Sequence, residues 1–192
     1  MSSFARKALV LVFAAVAGLG ALNAVAASKS AARQASGEKI AVLDGKLAFT
    51  LPKGFSASVL PAGSEANGTE GASGTLYSNA TTRTVVIAAQ NTIPHGAKVQ
   101  DNDAAFLDDA VSGFLAQQAA ALPDFSKQSE KNMTLKGLGV RQIDSTATMG
   151  GGLTLNSTLI AGSGTRMAVI QIISRATDKA GHTALMKQIL GQ

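Results

Sequence analysis

Apolar and polar positions alternate with a period near two along most of this chain, and switch to a helical period in two stretches only. Leu47, Phe49 and Leu51 alternate with Ala48 and Thr50, and a short apolar run, 40–43, precedes them across Asp44-Gly45. Asp-Gly between two strand-like runs predicts a hairpin, here with a two-residue turn and positive φ at Gly45. Pro52 and Gly54 end the second strand, and residues 55–60 read as a further short one. Residues 61–74 (PAGSEANGTEGASG) form a loop by composition. Strands follow at 75–78 and 83–90, and the continuous apolar run 85–89 predicts a central strand covered on both faces.

The first helical stretch runs from Asp103 to about Leu122, with Asp101 or Asn102 as its cap and Pro123 as its stop. Leu107, Val111 and Leu115, with Phe106, Ala110 and Phe114, form i, i+4 rows on one broad face. Strand patterns then return at 131–135 and 138–148, the latter with Ile143, Ser145, Ala147 and Met149 on one face. Gly150-Gly151-Gly152 predicts a tight reversal. A hairpin is expected from 153–161 and 165–174, turning at Gly162-Ser163-Gly164. Thr177 or Asp178 caps a last helix to about Leu190, with Ala184, Leu185, Gln188 and Ile189 inward. The predicted core includes Phe49, Val86, Leu107, Phe114, Ile143, Leu155, Val169 and Leu185. Strands with two apolar faces need cover on both sides. The expected fold is therefore α+β: a central, mostly antiparallel sheet flanked by helices on both faces.

The N-terminus changes the picture of location. Arg6 and Lys7 precede an apolar stretch, 8–22, and the small triplet Ala24-Val25-Ala26. These are the three parts of a secretory signal peptide, with cleavage expected after Ala26 or after Ala27. The stretch is short for a spanning helix and carries Gly18 and Gly20. An uncleaved helix tethering the domain to the inner membrane is the competing outcome. The expected organisation is a signal peptide at 1–26, a polar flexible leader at 27–38 and one domain at 39–192.

Charge and composition narrow the chemistry. Losing residues 1–26 removes two of the 17 basic residues and leaves 15 against 12 acidic ones, a net charge of +3. With aromatics at 4%, no base-stacking platform is expected, and so no nucleic-acid partner. There is no cysteine, which excludes disulfides, thiolate metal sites, a thiol nucleophile and the thioether-linked lipid of a lipoprotein. The two histidines, His95 and His182, have no metal-ligand spacing, and both read as solvated surface residues. Asp101, Asp103, Asp108 and Asp109 lack the spacing of a calcium loop and read as charges at a helix start. No G-x-S-x-G, P-loop or dinucleotide fingerprint is present. No catalytic, metal or cofactor residue is assigned. A hydrolase built on His95 and a nearby serine is the least supported of the function classes.

Several strings occur in a familiar order: VLDGKLAFTLPKGF (42–55), LYSNAT (76–81), VVIAA (85–89), LKG with QIDS (135–145) and TLNSTLIAGSGTRMAVIQI (154–172). Over residues 40–190 this ordered set resembles the DcrB family of bacterial envelope proteins. The resemblance implies a PsbP-like fold and a non-enzymatic protein of the periplasm. It further implies protein–protein contacts in envelope upkeep that phages exploit in adsorption or DNA entry. Its partners would be other envelope proteins, and a homodimer is compatible with it. The same superfamily includes chaperones that shelter apolar helices. This implies a second reading, a periplasmic binding module that holds an apolar segment or a lipid. Family members resemble lipoproteins with a lipobox cysteine, which this chain lacks.

Overall fold

A computed structural model describes residues 37–63 and 71–192. The signal stretch, the cleavage positions Ala26 and Ala27, and most of the leader lie outside the described residues. Nine strands and two helices are described, in the order β1 (Lys39–Val42), β2 (Leu47–Thr50), β3 (Ser56–Val59), β4 (Ser73–Asn79), β5 (Thr84–Thr92), α1 (Ala104–Ala121), β6 (Ser126–Leu135), β7 (Leu138–Met149), β8 (Gly152–Ser163), β9 (Arg166–Arg175) and α2 (Lys179–Leu190). Strands β3 to β9 form one seven-stranded sheet, ordered β3-β4-β5-β9-β8-β7-β6. Every pairing in it is antiparallel. The α+β class and the antiparallel sheet agree with expectation. The first hairpin stands apart as its own two-stranded sheet.

Neighbouring residues on β8 and β9 contribute to different cores, because successive strand side chains point to opposite sides. Leu159, Ala161, Ala168, Ile170 and Ile172 cluster with Leu47 and Phe49 of the first hairpin and with Leu185, Met186 and Ile189 of α2. Ile160, Met167 and Val169 cluster with Leu107, Ala110, Val111 and Phe114 of α1. Arg141 ties α1 to β7 by donating to Asp108, at 2.6 Å from Nη2.

Local chemistry accounts for most boundaries, and some differ from the reading above. The first hairpin has a four-residue connection, not a two-residue turn, since Val42 pairs with Leu47. Leu43, Asp44 and Gly45 all have positive φ, and Lys46 N–H donates to Leu43 O. Three consecutive left-handed residues cannot be fitted into two turn positions. Gly45, at φ 87°, has open space where a side chain would begin. Gly45→Val is therefore expected to cost about 1–2 kcal/mol through backbone strain alone. Thermal unfolding should show the loss, whereas Asp44→Asn, a residue that tolerates this conformation, should leave the melting point nearly unchanged.

Asp103, rather than Asp101 or Asn102, caps α1, accepting a hydrogen bond from Phe106 N–H at 3.0 Å. Asp101 instead accepts from Lys46 Nζ and Ser163 Oγ, both at 2.7 Å, and so joins the first hairpin to the β8–β9 turn. Strand β6 begins at Ser126, five residues before the predicted start, because its polar side chains lie on an exposed edge strand. Gly150 and Gly151, both at positive φ, form the predicted reversal between Met149 and Gly152. The β8–β9 turn is Gly164-Thr165, closed by the Ser163–Arg166 pair. Of the eight predicted core residues, Leu155 is only half-buried.

The inner face of α2 is also corrected. His182, Leu185, Met186 and Ile189 are buried, while Ala184 and Gln188 are exposed. The buried set follows i, i+3, i+4, i+7, a better helical stripe than the predicted one. Asp178 caps this helix, accepting from Gly181 N–H at 3.0 Å, and Gly191 ends it in the left-handed conformation.

Candidate functional site

A set of convergent polar groups lies beneath α2, running from the buried His182 to the half-buried Asp144 and Ser129 toward the sheet edge. Strand register builds it. Ser129 of β6 pairs with Asp144 of β7, and Asp144 pairs with Ser157 of β8, which sets the three in one row across the sheet. Ser157 Oγ donates to Asp144 Oδ1 at 2.6 Å, and Ser129 Oγ donates to Oδ2 at 2.7 Å. Gln142 Nε2 adds contacts of 2.9 and 3.0 Å to the same carboxylate. From above, His182 places Nε2 3.0 Å from Ser157 Oγ and Nδ1 3.1 Å from Ser174 Oγ of β9. Ser174 Oγ is in turn 3.5 Å from Thr84 Oγ1 of β5.

Burial of His182 overturns the solvated reading. It is 8% exposed, and Ser157 and Ser174 beneath it are 3% and 1% exposed. A buried imidazole is tolerated because both ring nitrogens find partners. His95 does lie on the surface, in a 3-10 turn at Pro94–Gly96, and among the described residues no hydrogen bond joins it to a serine.

Proton counting sets the directions of these bonds. An ionised carboxylate only accepts, so the Ser157 proton goes to Asp144. Ser157 oxygen must then accept from His182 Nε2–H. That leaves Nδ1 as the acceptor of the Ser174 hydroxyl proton. A nucleophilic triad needs the carboxylate on the imidazole and the imidazole accepting from serine. Here the carboxylate holds the serine, and the imidazole donates to it. Ser157 and Ser174 also have almost no exposed surface for a substrate to reach. The arrangement clasps α2 to three strands.

Burial would push the Asp144 carboxyl up, but the hydrogen bonds from Ser157, Ser129 and Gln142 and the charge of Lys131 hold it below 3.8. Burial pushes the His182 imidazole below 6.5, against the charges of Asp144 and Asp178, which push it up. Both shifts make acid destabilising. Below pH 6.5 the unfolded chain takes up the imidazole proton before the folded one does. Below pH 3.8 the unfolded chain likewise protonates its carboxyl first. The melting temperature should therefore be insensitive to these two groups at pH 7–8, decline below pH 6.5, and decline again below pH 3.8. Thermal unfolding of Asp144→Asn across this range should lack the contribution of the second decline. An equal acid slope in that variant and the wild type would assign the effect elsewhere.

Sequence reasoning missed Ser129, Gln142, Asp144, Ser157 and Ser174. For Gln142, Asp144, Ser157 and Ser174 the available signal was polar residues within largely buried strands, whereas Ser129, on the polar edge strand β6, left none. A second feature is a cleft of about 520 Å³ between β1 and the β3–β5 end of the sheet. Its lining includes Ile40, Val42, Leu60, Tyr77 and Ala88, with Lys39 and Gln90 as polar groups. Val59, in the edge strand β3 beside it, is 83% exposed. Among the described residues no group of three or more His, Asp or Glu could hold a metal ion. No described helix is long and apolar enough to cross a membrane.

No family model matches the chain. The inner membrane lipoprotein DcrB of Shigella flexneri is 27% identical over 157 residues, covering 82% of this chain and 77% of that protein. Among solved structures, cyanobacterial PsbP (CyanoP) of Synechocystis is similar with a TM-score of 0.56 at 11% identity, over 84% of this chain and 95% of that one. LpqN of Mycobacterium tuberculosis, a protein involved in cell envelope biogenesis, matches at a TM-score of 0.44 and 19% identity, over 75% of this chain and 79% of that one. CyanoP carries the fold comparison.

Proposed function

We propose that this chain, which is similar to DcrB and shares the fold of CyanoP, is a non-catalytic protein of the bacterial cell envelope that acts through contacts with other envelope proteins. The likeness to DcrB over 82% of the chain carries this reading. The inverted order of the Asp144–Ser157–His182 network supports its non-catalytic part, because the one histidine among serines is spent on holding a helix. In this reading α1 and α2 lie on opposite faces of the large sheet. Val169 and Ile170, adjacent on β9, support that by belonging to the α1 and α2 clusters respectively.

Secretion places the domain on the periplasmic side. The absence of cysteine leaves no thiol for a lipid anchor, so release after cleavage near Ala26 or Ala27 is the expected route. Fractionation of cells expressing the full chain tests this directly. The expected result is protein in the osmotic-shock fluid, with an N-terminus at Ala27 or Ser28. Full-length protein found only in detergent extracts would replace release with a retained helical tether. Protein confined to the cytosol would overturn the envelope assignment itself.

The cleft between β1 and the β3–β5 end favours a second reading, a module that shelters an apolar segment or a lipid. Saturable binding of an apolar fluorescent probe, lost in Leu60→Asp while the fold is kept, would support it. Binding unchanged by that substitution would remove it.

A further inference from the structure

We propose that the clasp of His182 between Ser157 and Ser174 is an acid-released latch, so that protonating this one imidazole frees α2 from the sheet before the rest of the domain unfolds. The geometry carries the inference. At neutral pH each group in the clasp has one consistent role: Nε2–H donates to Ser157, and Nδ1 accepts from Ser174. The Ser157 contact survives protonation, because Nε2 remains a donor. The Ser174 contact must reverse, because Nδ1 acquires a hydrogen and Ser174 Oγ has to become its acceptor. Ser174 must turn, and the side chain within its reach is Thr84, at 3.5 Å, too long for a strong hydroxyl bond. Protonation thus puts a cation into a buried site and leaves the buried Ser174 hydroxyl proton without a good acceptor, which weakens the clasp.

The charged groups facing the clasp come from several elements. Asp144 of β7 reaches it through Ser157, and Asp178 caps α2 itself; both favour the cation. Lys131 of β6 lies near Asp144 and helps hold that carboxyl ionised. Asp144, however, already accepts from Ser129, Ser157 and Gln142, so it is not free to turn toward the ring. The net direction for His182 is downward, so the neutral form is favoured in the folded state.

What the latch would uncover is apolar. Leu185, Met186 and Ile189 of α2 lie over Leu159, Ile170 and Ile172, all buried. The other histidine, His95, is exposed in the Pro94–Gly96 turn, so among the described residues no buried imidazole is packed under α1, which makes α1 the internal control.

Hydrogen exchange on the full chain, compared at pH 7.5 and 5.5 after correction for intrinsic rates, tests the latch. The α2 amides should exchange faster at the lower pH, by up to about tenfold for the one unit below 6.5. The α1 amides should not change by that factor. His182→Gln, which cannot take up a proton, should abolish the difference in α2. If that variant does not fold, titration of the wild-type imidazole resonances, assigned with a His95→Gln variant, decides the matter. A His182 midpoint below 6.5, with α2 backbone signals shifting at the same midpoint, supports the latch. Equal acceleration of α1 and α2, no acceleration, or a His182 titration that leaves α2 signals unmoved would overturn it.

Discussion

Phe114→Ala is expected to destabilise the domain by about 3–5 kcal/mol. Phe114 is 1% exposed and sits in the cluster that α1 forms with Ile143, Ile160, Met167 and Val169. Removing the ring loses its transfer free energy and leaves a void whose walls are held by the sheet. β8 is locked between β7 and β9 over ten paired positions on each side, so the floor of the void cannot rise to fill it. Only α1 can move, and its attachment by Asp108 to Arg141 restrains that movement. A domain of ordinary stability has only ~5–15 kcal/mol to lose. Denaturant unfolding should show a greatly lowered midpoint with little change in slope, and the yield of soluble protein should fall. A melting curve like that of the wild type would mean that α1 does not pack on the sheet through this residue.

Gly162→Val is the second large effect, expected to cost about 1–3 kcal/mol by overpacking. Gly162 lies within β8, and its backbone conformation does not need glycine. What it needs is the absence of a side chain. A Cβ there would stand 2.9 Å from Phe106 Cδ1, closer still to Cε1, and 3.1 Å from Val99 Cγ2. The Phe106 ring lies at the first turn of α1, so any accommodation tilts the helix start away from the strand. Calorimetry should show a lowered melting temperature for Gly162→Val. Pairing it with Phe106→Ala, which removes the obstructing ring, should recover part of the loss, since contacting residues do not act additively. If the double variant shows the plain sum of the two losses, the contact is not the reason for glycine at this position.

Gly162 illustrates what the sequence could not disclose. As part of Gly162-Ser163-Gly164 it reads as a turn residue, and only Gly164, at φ 58°, has the turn conformation. Close approach of a ring from 56 positions earlier leaves no local mark. His182 is the same case on a different link. Its burial depends on Ser157 and Ser174 arriving beneath it from two strands, and a polar residue reads as exposed until its partners are placed.

Local patterns did determine a great deal. Period-two alternation located β2 and β7, and a continuous apolar run located β5, because burial on one face writes itself into every second residue and burial on both faces into all of them. Asp178 and Gly150-Gly151 were legible because caps and tight turns are settled within four residues. The ordered strings from 42 to 172 carried the resemblance to the DcrB family. Tertiary structure alone decided which face of α2 turns inward, where Asp101 spends its charge, and that Asp144, Ser157 and His182 meet. Each of these depends on strand register across non-adjacent segments, where contact is set by pairing geometry and not by spacing along the chain.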